Sequence, residues 1–122
     1  MRIAHFNELT NVRSAAGSDA DYDAISHQVA RGVALLVESN GCYCVLRLDP
    51  DGLCVVCAAG KHLLKIAPCI VKLAVHHNAP SIIFHTRRPA LARHLSAYNF
   101  KYEMTDKNGY LVFRMRSDDY GL

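Results

Sequence analysis

The stretch Cys57-Ala58-Ala59-Gly60-Lys61-His62 lies where an apolar, β-like run gives way to a helical pattern. A strand, a glycine turn and a helix start can hold a phosphate, because the first amides of a helix have no partner within it and carry a partial positive charge. Gly60 would let the backbone approach such a ligand closely, and Lys61 would add a point charge. The competing reading is a plain strand-to-helix turn. Arg87 and Arg88 follow the run Ser81-Ile82-Ile83-Phe84-His85 after Thr86 and open a second helical pattern. Arginines there oppose the helix dipole, which favours an anion or carboxylate nearby. His85 closes the short run and could exchange a proton near neutral pH, or be a partly buried, satisfied histidine. His76 and His77 are adjacent, so on a helix they point about 100° apart and are poorly placed to share a metal.

Five cysteines are an odd number, so the chain cannot pair them all. Cys54 and Cys57 form a C-x-x-C, but on a regular strand an offset of three puts them on opposite faces. No second pair follows to complete a zinc site, and no metal is expected. They read as small buried hydrophobes. Glu38 and Asp49 lie at strand ends, where turn or surface roles suffice. No Ser-His-Asp order, phosphate-binding Walker loop or nuclease-like carboxylate cluster is present.

The elements that must position these residues follow from period and turns. Ser18 and Asp21 mark a helix start, and Gly32 its end. Residues 11–19 are the loosest stretch. Three strand-like runs follow, GVALLVES, CYCVLRLD and LCVVCAA, joined at Asn40-Gly41 and at Asp49-Pro50-Asp51-Gly52. After Gly60 the period changes to helical, and Pro68 makes that helix start near Ala67 or bend there. SIIFH is a buried strand, a helix opens near Pro89, and a hairpin turning at Asp106–Gly109 closes the chain. Leu53, Val55, Leu64, Ile70, Leu73, Ile83, Leu91, Leu95, Leu111 and Phe113 should form the core. A strand-helix-strand over 53–85 implies a parallel pair with a right-handed crossover inside otherwise antiparallel strands. The fold class is α/β with a mixed sheet of six to seven strands and three to four helices, in one domain over residues 1–122.

The whole chain of 122 residues is 51% apolar and 20% charged, with a net charge of +3. That charge permits acidic partners without demanding them. No apolar run approaches the ~18–20 residues of a membrane span, and the N-terminus lacks a signal-peptide core. A cytoplasmic chain with no membrane association is the expectation.

Residues 20–116, above all SIIFHTRRPALARHLSAYNF followed by KYEMTDKNGYLVFRMR, resemble the GNAT fold of acetyl-CoA-dependent N-acyltransferases, and in particular compact GNAT-like proteins encoded among phage structural genes. The resemblance implies acetyl-CoA as a ligand at a loop of pattern Arg/Gln-x-x-Gly-x-Gly/Ala. With its last position at Gly60, this sequence has Val55 at the polar position and Ala58 at the first glycine. It implies cofactor contacts from Ala58, Gly60, Lys61, His62 and Arg88. The family's asparagine and proton-donating tyrosine fall on Arg88 and Leu95, and leucine has no proton to give, so Tyr98, three residues on, is the substitute acid. These departures favour a degenerate, non-catalytic member that acts through a protein partner, in phage assembly, in the virion or in host interference. The alternatives are an active small N-acetyltransferase and, third, a nucleic-acid-binding module through Arg87 and Arg88, with nucleic acid the least expected partner. A homodimer through the terminal hairpin's free edge is a further expectation.

Overall fold

The computed structural model describes residues 1–60, 63–87 and 89–120. Its elements are β1 (Arg2–Ile3), a 3-10 helical segment (Phe6–Ala15), α1 (Asp19–Ala30), β2 (Leu35–Ser39), β3 (Cys42–Asp49), β4 (Gly52–Ala59), α2 (Leu63–His76), β5 (Ser81–Thr86), α3 (Pro89–Ala97), β6 (Lys101–Thr105), β7 (Leu111–Arg116) and a last 3-10 turn (Ser117–Asp119). The strands form one sheet in the order β1-β2-β3-β4-β5-β7-β6. Every neighbouring pair is antiparallel except β4 and β5, which run parallel with α2 as their crossover. The mixed α/β architecture expected from the pattern of turns and periods is the one observed.

Local chemistry explains the boundaries. Asn40 and Gly41 both take positive φ, 53° and 82°, the two-residue turn that matches strand twist. The Ser18 hydroxyl accepts the Asp21 amide at 3.1 Å and starts α1. Pro68 lies inside α2, which runs unbroken from Leu63 rather than starting at Ala67. Pro68 is exposed, so water can reach the carbonyl that loses its amide partner.

The core has two layers, one on each face of the sheet. Ile66 and Ile70 of α2 and Leu91 and Leu95 of α3 pack on Val55, Ile82, Phe84 and Phe113. Leu9, Val12, Ala16 and Ile25 pack on Leu36, Val45, Cys57 and Ala59 of the other face. Most of the expected core residues are buried; Leu73 and Leu111 are half-buried, and the Leu64 side chain lies outside the described residues. Residues 11–19 are a correction. They are not loose, because Val12 is 0% exposed and Ala16 3%. Leu9, Val12 and Ala16 recur on one face, a stripe diluted by the small and polar residues between them. Glu8 ties this segment down. Its carboxylate accepts from both terminal nitrogens of Arg2 (2.7 and 3.1 Å), the His5 amide (2.8 Å) and the Tyr43 hydroxyl (3.0 Å).

Candidate active site

The parallel pair is short. β4 and β5 are matched only over Leu53–Val55 and Ile82–Phe84. Beyond this, β4 stays paired to β3 as far as Ala59, and β5 to β7 as far as Thr86. The two strands therefore part, and on its β5 side the edge of β4 from Val56 to Ala59 is matched to no described strand. A cleft of about 230 Å³ fills the opening, lined among others by Cys57, Ala58, His85, Arg87 and Tyr110.

A β-bulge sits at the point of parting. Val45 is opposite Cys57 and Leu46 is opposite Val55, which leaves Val56 as an extra residue. A bulge resets the alternation of side chains. Cys54 and Cys57 consequently look to the same face, toward α1, which corrects the opposite-face expectation for a regular strand. Cys54 lines a groove with Ile25 there, and Cys57 packs in the core layer of that face. Burial pushes the Cys54 thiol up to about 11 and the Cys57 thiol up to about 12.

His85 stands at the end of the matched region. Its Nδ1 lies 3.8 Å from Cys54 Sγ. Burial, above all, holds His85 below the ordinary imidazole value, and the charge of Arg47 works in the same direction; the Asp106 and Asp49 carboxylates pull the other way. The pair is thus a neutral imidazole beside a neutral thiol. This arrangement can take up a proton; it does not make a thiolate nucleophile.

A second groove of about 340 Å³ lies on the α1 side, lined among others by Asp21, Gln28, Arg47, Cys54 and Asp106, and it too reaches His85 and Tyr110. Arg47 is held by both oxygens of Asp49 (2.8 and 3.0 Å) and by Gln28 Oε1 (3.0 Å). The Tyr110 hydroxyl donates to the Ala16 carbonyl at 3.2 Å. Arg87 lies over the Tyr110 ring, 4.3 Å from its centroid, and donates to the Asn108 carbonyl at 2.6 Å. Asp106 Oδ1 accepts the Asn108 and Tyr110 amides at 2.9 and 3.0 Å, which shapes the β6–β7 turn. Arg87 is therefore a tie between the end of β5 and this turn.

Of the residues singled out from sequence, Ala58 lines the cleft. Lys61, His62 and Arg88 lie outside the described residues. Gly60 ends β4 with φ +118°, and a Cβ there would strike the Gly41 carbonyl oxygen. Its missing side chain is required by the β2–β3 turn, whatever else it does. Tyr98 lies apart from the cleft. It is 49% exposed and lines a different groove, between Ala67–Lys72 of α2 and Asp119–Tyr120, which shares no lining residue with the cleft. Leu95, at the family's tyrosine position, is buried in the core. Glu38 is engaged by Arg2 and the Gly41 amide. Tyr110, Asp106 and Arg47 escaped the sequence reading. Asp106 signalled only a turn, and Tyr110 meets Ala16 across a sequence separation of 94. Among the described residues no group of three or more His, Cys, Asp or Glu is arranged to hold a metal, and no described helix is long and apolar enough to cross a membrane.

Comparison with known proteins places the fold. No protein-family model and no curated protein matches the sequence. Solved structures do match in shape. The PaiA N-acetyltransferase from Thermoplasma acidophilum, in complex with coenzyme A, aligns with a TM-score of 0.63 at 8% identity, over 94% of this chain and 96% of that one. A protein from Desulfovibrio desulfuricans assigned to the GNAT family gives 0.64 at 13% identity, over 94% and 95%. The aminoglycoside acetyltransferase AAC(6')-Ib, in complex with coenzyme A and kanamycin, gives 0.61 at 14% identity, over 98% and 95%. The chain has the GNAT fold. The phage-associated role implied by the resemblance has no counterpart among these three.

Proposed function

We propose that this chain transfers an acyl group from a coenzyme A thioester to an amine, with His85 as the base. The observation that carries the reading is the position of His85, at the parting of β4 and β5, where the cleft and the α1-side groove meet. The opening suits an extended, amide-bearing arm. The Val56–Ala59 edge is a strand edge matched to no described strand on its β5 side, and three of its four side chains are small. A peptide-like chain can add to such an edge as a strand does. Solved structures of this fold hold coenzyme A.

A thioester bound there supplies an activated acyl carbon. His85, neutral at pH 7, accepts the proton that the acceptor nitrogen sheds as the C–N bond forms. The C–S bond breaks with its electron pair going to sulfur. With Leu95 apolar and Tyr98 elsewhere, sulfur takes its proton from water at the open mouth of the cleft.

The competing proposal is the non-catalytic one: a scaffold acting through a protein partner or a second copy of itself, with Val55 and Leu95 as the marks of lost chemistry. The nucleic-acid reading rests on Arg87 and Arg88; Arg87 is engaged by Tyr110 and Asn108, and Arg88 lies outside the described residues. Calorimetric titration with acetyl-CoA, followed by thiol release in the presence of primary amines, decides between the first two. Micromolar binding and amine-dependent thiol release are expected. Silence up to millimolar acetyl-CoA would leave only the scaffold. Gly60→Glu is a poor control, because it would disturb the turn at Gly41 directly.

A further inference from the structure

We infer that the contact between Tyr110 and Ala16 is a fixed bar that divides the opening, and that it admits to His85 only an unbranched primary amine at the tip of a slender group. The inference rests on the acyl-transfer reading. The cleft and the α1-side groove share two lining residues, His85 and Tyr110. The neighbours of Ala16 sort by side: Ala15 and Gly17 line the cleft, while Ala16 itself lines the groove. The Tyr110 hydroxyl, 3.2 Å from the Ala16 carbonyl, therefore stands between two spaces that meet at the imidazole. Donor and acceptor would reach His85 from opposite sides of it.

Both ends of the bar are anchored. Ala16 is 3% exposed and packs in the layer with Val12 and Ile25. The Tyr110 ring is held beneath Arg87, and its amide is held by Asp106. Gly17 makes room for the phenol, whose oxygen lies where a Cβ would otherwise stand. Held at both ends, the bar resists displacement by a bulky acceptor. The carbon bearing the amine must pass beside it, so substitution at that carbon is penalised by crowding, whereas a straight chain is not. A methyl group in a confined site changes rates by roughly 10–200-fold.

The test uses the full chain, acetyl-CoA as donor, and two amines of matched basicity, n-butylamine and sec-butylamine, with thiol release as the readout and calorimetric acetyl-CoA titration alongside. The wild type should favour n-butylamine by roughly tenfold or more in kcat/KM. Tyr110→Ala should bring the ratio down to that of the same two amines with acetyl-CoA in buffer alone. Tyr110→Phe keeps the ring under Arg87 and loses only the reach to Ala16, and should lower the ratio partway even if the alanine variant folds poorly. The ratio cancels any loss of donor affinity common to both amines. Equal use of both amines by the wild type, or a ratio unchanged in the variants, would overturn the bar and leave acyl transfer standing. Acetyl-CoA binding with neither amine acylated, or no binding at all, would overturn both.

Discussion

An imidazole is useful as a base only while it is neutral, and the half-buried setting of His85 works to keep it so. Replacing it with glutamine removes proton uptake and keeps a polar side chain of similar size. His85→Gln is therefore expected to lower kcat by roughly 10²–10⁴ with little change in acetyl-CoA affinity, measured by steady-state thiol release and calorimetry. The pH profile carries a sign. His85 titrates below its ordinary value, so the acidic limb of kcat/KM should fall below about pH 6.5 and disappear in the glutamine variant. Glu8 titrates in the opposite sense for stability. The Arg2 hydrogen bonds, first among its partners, hold its carboxyl down to about 2 from an ordinary 4.5. A folded value below the unfolded one gives stability that is full above the ordinary value and fades as pH falls toward 2. Thermal unfolding from pH 7 to 2 should show Glu8→Gln less stable than wild type at neutral pH, with the gap closing in acid.

At the scale of elements, β4 is the strand that matters. Its bulge at Val56 turns Cys57 and Ala59 toward the layer of Leu9 and Val12 while Ala58 faces the α2 layer, so one strand serves both cores beside the cleft. Its end at Gly60 is set by the closeness of Gly41. Gly60→Ala places a side chain at φ +118° and against a backbone oxygen. It should cost about 2 kcal/mol or more by denaturant titration, even with no ligand present. The runs LCVVCAA and SIIFH were legible as strands from their composition. The bulge was not, because an extra residue is defined by the strand opposite, and β3 has to be docked before Val56 is seen to be extra. Residues 11–19 were misread for a related reason. Their apolar stripe is thin, and only the sheet face above Val12 and Ala16 makes it a core contact.

For the whole molecule, the decisive quantity is whether a ligand binds the native state alone. A ligand at a hundredfold excess over its Kd adds about 2.7 kcal/mol to folding stability. Acetyl-CoA at such a concentration is expected to raise the melting temperature by several degrees, and adenosine diphosphate fragments that lack the amide-bearing arm should raise it less. No shift at millimolar acetyl-CoA would count against acyl transfer as a whole. The terminal hairpin bears on assembly. β6 is exposed along its full length, but its bulge near Glu103 and its Lys101 blunt the edge against a second strand.

Read alone, the chain of 122 residues determined the kinds and order of its elements from α1 onward, its turns and most of its buried stripe, because period, turn chemistry and side-chain size act over a few residues. It also drew attention to Ala58 and His85. Tertiary structure alone decided where β4 and β5 part, that Cys54 and Cys57 share a face, that Tyr98 lines a different groove and that Tyr110 meets Ala16. Those facts depend on register between strands and on the docking of layers. Two loops separated by 94 positions are brought together by the sheet between them, and no local pattern in either loop encodes that meeting.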